Sequence, residues 1–418
     1  MKTKVIALKL NKKTITSMWS KISKRDTTEL LNLIWVNMFG LVISLCLCIV
    51  KPFKSVILLE IRDRAIGQQA ANTGLFLRRL QLENGRKNNR ILYVGISGKP
   101  DNQQLLKMFK RKLFIIQSDF LTRICGNGAF VIRWLGFYKE LPFNGNEFEF
   151  NNTEPDLQFT SEEEEEGRRL LSKMGIDDKS WFVCFHCRDS AFPYSYAGDF
   201  RNSDIKNYLD AAKYITSCGG FAVRMGQIVS EKLPDLNNPR IIDYSSKFRT
   251  DFGDIYLPAK CKFFLGSTAG LFVVSVIFNV PIAGANFIPF HTLLRTGDLF
   301  IPKKIWSIEE KRLLTFREYI EFAGDVPGGN IRKGVCSNIY AHNKLAEGKY
   351  VVIENTADEI LDLAKEINER LDGTFEITEE DEELQKRFHS LLHPDDYFYG
   401  TPSRIGAKFL RQNKELLT

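Results

Sequence analysis

The stretch that decides the fold runs from Trp181 to Pro281. WFVCF (Trp181–Phe185) runs into HCRD (His186–Asp189), FAV (Phe221–Val223) into RMG (Arg224–Gly226), and CKFFL (Cys261–Leu265) into GSTAG (Gly266–Gly270), which an apolar helical segment follows. Short, unbroken apolar runs bounded by turn residues read as strands covered on both faces. Each run ends in small, polar or basic residues. Parallel sheets build ligand sites at the carboxyl ends of their strands in this way.

Strands are expected at 181–185, 220–224, 240–243, 262–265 and 280–283, with helices at 204–217, 227–233, 252–259 and 269–278. Upstream, 55–61, 90–96 and 113–117 read as strands around helices at 68–82 and 101–110. Strand–helix alternation at this spacing predicts parallel sheets with helices on their faces. Residues 137–160 lose periodicity and mark a junction, after which Ser161 and the acidic run to Glu166 suit a helix N-terminus. The expected organisation is α/β, with two Rossmann-like doubly wound domains (52–160 and 161–373) facing each other across a cleft. Helices are also expected at 316–323 and 356–371, and residues 374–418 read as an appended tail that packs on the body or stays partly mobile.

The chain has 418 residues, 44% of them hydrophobic and 26% charged, enough for two domains of ordinary size. The net charge of +7 is unevenly placed. Lys2, Lys4, Lys9, Lys12, Lys13, Lys21, Lys24 and Arg25 crowd a leader (1–29) whose only acids are Asp26 and Glu29. The remainder is nearly neutral, which disfavours nucleic acid as a partner. The eight cysteines lack framework spacing. Cys184 and Cys187 form a C-x-x-C, but Cys184 lies in an apolar strand, so buried thiols are expected and neither a redox motif nor a zinc site.

Residues 30–50 carry no charge and are closed by Lys51 and Lys54. Their length suffices to cross a bilayer, and basic residues flank both ends. The expectation is a membrane-associated helix (30–51) that holds the chain at the cytoplasmic face of an inner membrane, the leader remaining on that side. The other reading is a helix packed on the first domain with Asn32 and Asn37 on its wetter side. No small-residue cleavage site follows, which argues against a cleaved signal peptide.

The chemistry-bearing candidates sit at the strand ends. Arg188 suits bidentate contact with a diphosphate, Asp189 suits the base, and His186 stands beside them. Arg224 and Gly226 occupy the equivalent place after the next strand, making two neighbouring cations. In the Gly266–Gly270 loop, Ser267, Thr268, Ala269 and Gly270 offer backbone N–H groups and hydroxyls to phosphate. Asp251 is either a helix cap or a ligand for a ribose or base. Arg201, Asn202, Asp204 and Tyr208 follow the first strand, and Asn202 also suits a helix cap.

Several strings occur in a fixed order: R-N-S-D-I-x-N-Y from Arg201, R-M-G from Arg224, I-D-Y from Ile242, D-F-x-D-I-Y-L from Asp251, C-K-F-F-L-G-S-x-A-G-L from Cys261, D-L-F-I-P-K from Asp298 and E-N-T-x-x-E-I from Glu354. With Arg64-Ala-Ile-Gly67-Gln-Gln-Ala-Ala-Asn72, they resemble a bacterial family of glycosyltransferases from surface-polysaccharide clusters over roughly residues 55–371. That family's usual histidine is Gln68 here. More distantly, His186-Cys-Arg188 is similar to the H-x-R of fucosyltransferases, whose arginine binds the donor diphosphate. Asp189 replaces that motif's second arginine.

The resemblance implies a GT-B-like glycosyltransferase that uses a nucleotide-sugar donor and a glycan or lipid-linked acceptor. Arginines would stabilise the leaving diphosphate without a metal or other cofactor. Arg64, Gly67 and Asn72 would then lie on the acceptor side. Pyruvyl or another transfer to polysaccharide, and a non-catalytic scaffold of a polysaccharide complex, are the alternatives.

Overall fold

The computed structural model describes residues 27–83, 90–126, 130–142, 147–191, 200–288, 295–324, 345–392, 394 and 399–418. The first part of the chain runs α1 (Thr27–Val50), β1 (Ser55–Glu60), α2 (Ile66–Glu83), β2 (Ile91–Ser97), α3 (Gln103–Lys110), β3 (Phe114–Gln117), α4 (Asp119–Gly126) and α5 (Phe130–Trp134). Then follow α6 (Glu147–Asn151), α7 (Ser161–Lys173), β4 (Phe182–His186), α8 (Leu209–Ser217), β5 (Phe221–Arg224), β6 (Ile241–Asp243), α9 (Tyr244–Lys247), α10 (Gly253–Lys260), β7 (Phe264–Gly266) and α11 (Phe272–Ile277). The remainder is β8 (Ile282–Phe287), β9 (Leu299–Pro302), β10 (Lys304–Ser307), β11 (Arg312–Leu313), α12 (Phe316–Gly324), β12 (Tyr350–Ile353), α13 (Ala357–Asp372), α14 (Glu379–Ser390), β13 (Arg404–Ile405) and α15 (Ala407–Gln412).

By internal packing the chain forms two units. One takes the chain to Glu60 with Asn88–Gly98 and Leu113–Glu140; the other takes Ile61–Lys87, Lys99–Lys112 and everything from Leu141. The boundary therefore differs from the expected one near residue 160, because α2 and α3 pack with the later sequence. In the first unit β1, β2 and β3 form a parallel sheet in that order. Its core joins Leu58, Val94 and Ile96 of the sheet to Ile124, Cys125, Ile132, Phe137 and, from α1, Val36.

In the second unit seven strands pair in the order β13-β9-β8-β7-β4-β5-β6, every neighbouring pair parallel. From β4 the chain builds outward through β5 and β6, then returns to lay β7, β8 and β9 on β4's other side. The strand order therefore reverses between β4 and β7, where doubly wound sheets open a crevice. Strands β5, β8 and β9 are buried throughout, as parallel strands covered on both faces must be.

The expected tail is integral to this sheet. β13 extends it beyond β9, the Ala407 N–H donates to Glu366 Oε2 at 2.7 Å, and the Ile405 N–H donates to Gln385 Oε1 at 3.1 Å. Two local expectations also change. Thr160, rather than Ser161, caps α7 in a capping box with Glu163. Residues 227–233 form no helix, because carboxylates capture their N–H groups: Ser230 donates to Asp189 at 2.7 Å and Leu233 to Asp243 at 3.2 Å. Pro234 closes the segment.

Helices α2 and α11 lie against each other, running in the same direction. A Cβ on Gly67 would fall 2.5 Å from Gly270 Cα, and one on Gly74 would fall 2.8 Å from Ile277 Cγ2. Both contacts recur after seven residues, two turns on each helix. Beyond them the buried Arg78 donates to the Ile277 carbonyl at 2.9 Å, to Asn279 Oδ1 at 2.9 Å and to the Thr153 carbonyl at 2.5 Å. It thereby caps the carboxyl end of α11. Burial lowers the pKa of this guanidinium to about 10, against the attraction of Asp156, so it stays charged at neutral pH. Arg78→Ala strands these acceptors and should cost about 3–5 kcal/mol in urea unfolding. A loss below about 1 kcal/mol would show that the clamp is not structural.

Asp298 supplies a pH signature. Its buried carboxylate accepts the N–H of Ile282 at 2.9 Å and of Arg295 at 3.2 Å. Burial pushes its pKa from 3.8 to about 7 despite those bonds. The folded state thus holds a proton that the unfolded chain releases, and stability falls as pH rises from about 4 to 7. Asp298→Asn should remove this part of the decline in melting temperature between pH 5 and 8. An unchanged slope would refute the assignment.

Candidate functional site

All seventeen residues singled out as candidates lie in the second unit, and those at the β4–β7 switch point form one hydrogen-bonded constellation. The Ser267 N–H donates to the His186 carbonyl at 3.1 Å, and the Ser267 hydroxyl accepts the Arg188 N–H at 3.0 Å. The Arg188 carbonyl in turn accepts the Ser203 N–H at 2.9 Å. Arg188 is 8% exposed and Ser267 fully buried. Ser267 thus fixes the backbone that carries Arg188. The Thr268 hydroxyl does similar work, accepting the Ile288 N–H at 3.1 Å and tying the loop to the end of β8.

Gly270 is exposed, and its backbone meets that of Gly67 at the start of α2: a Cβ on Gly270 would stand 2.9 Å from the Gly67 nitrogen. Among the described hydrogen bonds, the N–H groups of Thr268, Ala269 and Gly270 donate to no protein acceptor. Asp101 Oδ2 accepts the Ile66 N–H at the start of α2 at 2.9 Å. Arg64 lies exposed on the preceding loop.

His186 lies at the end of β4 with Nδ1 3.0 Å from the Met225 carbonyl. A carbonyl only accepts, so Nδ1 carries the proton and Nε2 is left as an acceptor. Burial lowers the pKa of the imidazole to about 4 although that hydrogen bond opposes it. At neutral pH this is an uncharged ring and a weak base. Gly226 beside it has φ +155°, and a Cβ there would lie 2.7 Å from Val229 Cγ1. No other residue fits that turn without displacing Val229.

Other candidates have partners within the protein. Arg224 is 3% exposed, lies 3.5 Å from Asp243 Oδ2 and donates to the Glu231 carbonyl at 2.6 Å. The expected pair of cations at neighbouring strand ends is thereby corrected, since the charge of Arg224 is met inside the protein. Burial pushes the Asp243 carboxyl up, but Ser245, Ser246, the Leu233 N–H and Arg224 outweigh it and hold the pKa below the usual range. Asp189, expected as base, accepts the Ala191 N–H at 2.9 Å and the Ser230 N–H at 2.7 Å, so both oxygens are committed to shaping loops.

Asp251 caps α3 through the Gln103 N–H at 3.1 Å and pairs with Arg249 at 3.0 Å. Asn72 is buried and donates to the Pro142 carbonyl at 2.6 Å. Tyr208 is fully buried, its hydroxyl accepting from Asn286 at 3.2 Å. Asp204 caps the single turn at Ile205–Tyr208 through the Lys206 N–H. Arg201 and Asn202 are half-buried just before Ser203.

One cation of this edge was not among the expected site residues. Lys303, next after β9, is buried and donates to the Asn202 carbonyl at 2.5 Å, with Glu354 Oε1 at 3.8 Å. The string D-L-F-I-P-K ends on it. The string E-N-T-x-x-E-I proves to be scaffolding: Asn355 and Asn286 exchange reciprocal hydrogen bonds at 2.6 and 2.7 Å, and Thr356 and Glu359 form the capping box of α13. Cys184 and Cys187 are buried and unlinked. Among the described residues, no group of three His, Cys, Asp or Glu side chains could hold a metal ion.

No protein-family model matches the sequence, and no curated protein matches it significantly. Solved structures of similar shape include ADP-heptose lipopolysaccharide heptosyltransferase II from E. coli, at 11% identity over 55% of this chain and 84% of that one, TM-score 0.38. A glycosyl transferase family 9 protein from Veillonella parvula aligns at 10% identity over 74% of this chain and 97% of that one, TM-score 0.40. The iron-containing dodecameric heptosyltransferase TibC, solved with ADP-D-beta-D-heptose, aligns at 9% identity over 76% and 77%, TM-score 0.35.

Proposed function

We propose that this chain is a glycosyltransferase that moves a sugar from a nucleotide-sugar donor to a surface-glycan or lipid-linked acceptor. One observation carries the reading: Arg188 and the Ser267–Gly270 loop stand at the carboxyl ends of adjacent parallel strands, at the point where the strand order reverses. A buried arginine whose backbone is tied to Ser267, followed by loop N–H groups that donate to no described protein acceptor, suits a diphosphate, whose oxygens take bidentate and single donors together. The close passage of Gly67 and Gly270 brings two backbones to the same place with no side chain between them.

In transfer from a nucleotide sugar, the bond from the anomeric carbon to the diphosphate oxygen breaks and negative charge grows on the departing diphosphate. Arg188 and the loop amides would stabilise that charge, doing the work of leaving-group stabilisation with fixed dipoles and a cation. Neutral His186 would receive a hydrogen bond at Nε2, which suits a donor hydroxyl better than removal of an acceptor proton. Arg64 remains the candidate on the acceptor side.

A thermal-shift panel of UDP-, GDP-, ADP- and CDP-linked sugars, with phosphoenolpyruvate beside them, tests the donor class. The matching nucleotide sugar at about 100-fold its Kd should add roughly 2.7 kcal/mol. Stabilisation by phosphoenolpyruvate alone would favour pyruvyl transfer instead. Arg188→Ala should weaken donor binding at least tenfold with little change in unfolding, and Arg188→Lys should restore only part, having no planar fork. Arg224→Ala should behave oppositely, lowering stability by about 3 kcal/mol because it leaves Asp243 buried and unpaired. Unchanged donor affinity in a folded Arg188→Ala protein would end the reading.

A further inference from the structure

Helix α1 belongs to the first unit, and its two long faces have different neighbours. Val36, Gly40 and Ser44 are buried, and Trp35, Ile43 and Leu47 pack against the core of β1, β2, α4 and α5. The Asn37 side chain receives the Phe130 N–H at 3.0 Å and donates to the Leu33 carbonyl at 2.8 Å. The opposite face carries Leu31, Ile34, Met38, Leu41, Val42, Leu45 and Ile49, all exposed. Their spacing of three and four residues makes one continuous apolar stripe. Phe53 extends it past the helix end, at 84% exposed.

Aromatic residues border the helix. Phe120, exposed, stacks on Trp35 at 5.9 Å and meets Phe39 edge-on at 5.1 Å. Phe130 and Trp134 of α5 are also exposed, Trp134 at 58%. An apolar patch this continuous on a folded protein marks an interaction surface. Residues Leu31–Val50 have a mean hydropathy of 2.5, and the helix is long enough to cross a bilayer. Crossing one alone would withdraw Val36, Gly40 and Ser44 from the core that they complete.

We propose that α1 lies in the plane of an anionic bilayer surface, its inner face on the protein core and its outer face, with Phe53, Phe120, Phe130 and Trp134, in the acyl boundary. Charge selects lipid over a second copy of this chain. Lys51 and Lys54 close the stripe at one end, and the leader's eight Lys and Arg residues lie in sequence before the other. Symmetric pairing of two such stripes, parallel or antiparallel, sets like charges together at both ends. An anionic headgroup layer satisfies both ends at once, and interfacial aromatics favour that depth. Because the inner face stays on the protein, the leader and the body remain on the same side of the membrane. This inference is independent of the transferase reading.

The full chain should sediment with phosphatidylglycerol–phosphatidylethanolamine vesicles at least tenfold more than with phosphatidylcholine vesicles. Lipids brominated in the upper acyl chain should quench its tryptophan fluorescence, and Trp134→Phe should reduce that quenching. The triple variant Ile34→Glu, Leu41→Glu, Leu45→Glu changes exposed positions only. It should lose vesicle binding at least tenfold while its circular-dichroism melt is retained. Undiminished sedimentation of this folded variant would overturn the proposal. So would protection of the leader from protease added outside vesicles, which would mean a spanning helix. A concentration-dependent dimer that ignores lipid, and that the triple variant dissolves, would assign the face to a second copy instead.

Discussion

The pairing of β4 with β7 is the constraint on which the second unit depends. Three residues on each strand are in register, Cys184 with Phe264 to His186 with Gly266, and the ladder ends at the residues of the candidate site. Beyond it, Ser267 extends the pairing by one more backbone bond to His186 and one side-chain bond to the Arg188 N–H. A buried serine hydroxyl must be satisfied, and here its satisfaction fixes a cation. Gly266 permits the approach, since a Cβ there would lie 2.7 Å from the His186 carbonyl oxygen. Strand order, glycine and serine thus converge on the position of one arginine.

Around that point the buried charges fall into two kinds. Arg224 with Asp243 is a buried pair, and the half-buried Arg249 holds Asp254 in the first turn of α10. Burial raises the Asp254 carboxyl to about 6 even though Arg249 and Tyr244 bond to it, which shows how dry this part of the unit is. Breaking either pair leaves a charge uncompensated, so such arginines are expensive to lose. Arg188 differs by address, lying at the reversal of strand order where a ligand's charge would be felt.

Much of this was legible in the sequence because parallel strands buried on both faces write themselves as unbroken apolar runs. β4, β5 and β7 each fall within two residues of their expected bounds, and the residues that follow emerge at one sheet edge. The roles of those residues were less legible. Arg188 and Arg224 both follow an apolar strand, and the position of Asp243 beside Arg224 is not written in the local pattern. Asp189 and Asp251 read as acids near a site, but each bonds to N–H groups more than thirty residues away in sequence. Local pattern carries no record of such partners. The helix expected at 227–233 fails for the same reason, because distant carboxylates outbid its own carbonyls. β13 was missed because two residues, Arg404 and Ile405, are too few to show a period.

The assignment of α2 to the second unit has the largest consequence. Gly67 was expected on the acceptor side in the first domain, yet Gly67 and Gly74 are spaced to let α11 approach within a Cβ's width. That contact sets the start of α2, capped by Asp101, beside the loop that follows β7. The start of α2 at Gly67 therefore meets the loop whose Ser267 holds the Arg188 backbone, although the two lie far apart in sequence. A substitution at Gly67 would press two backbones apart, whereas one at Gly74 would meet the Ile277 side chain.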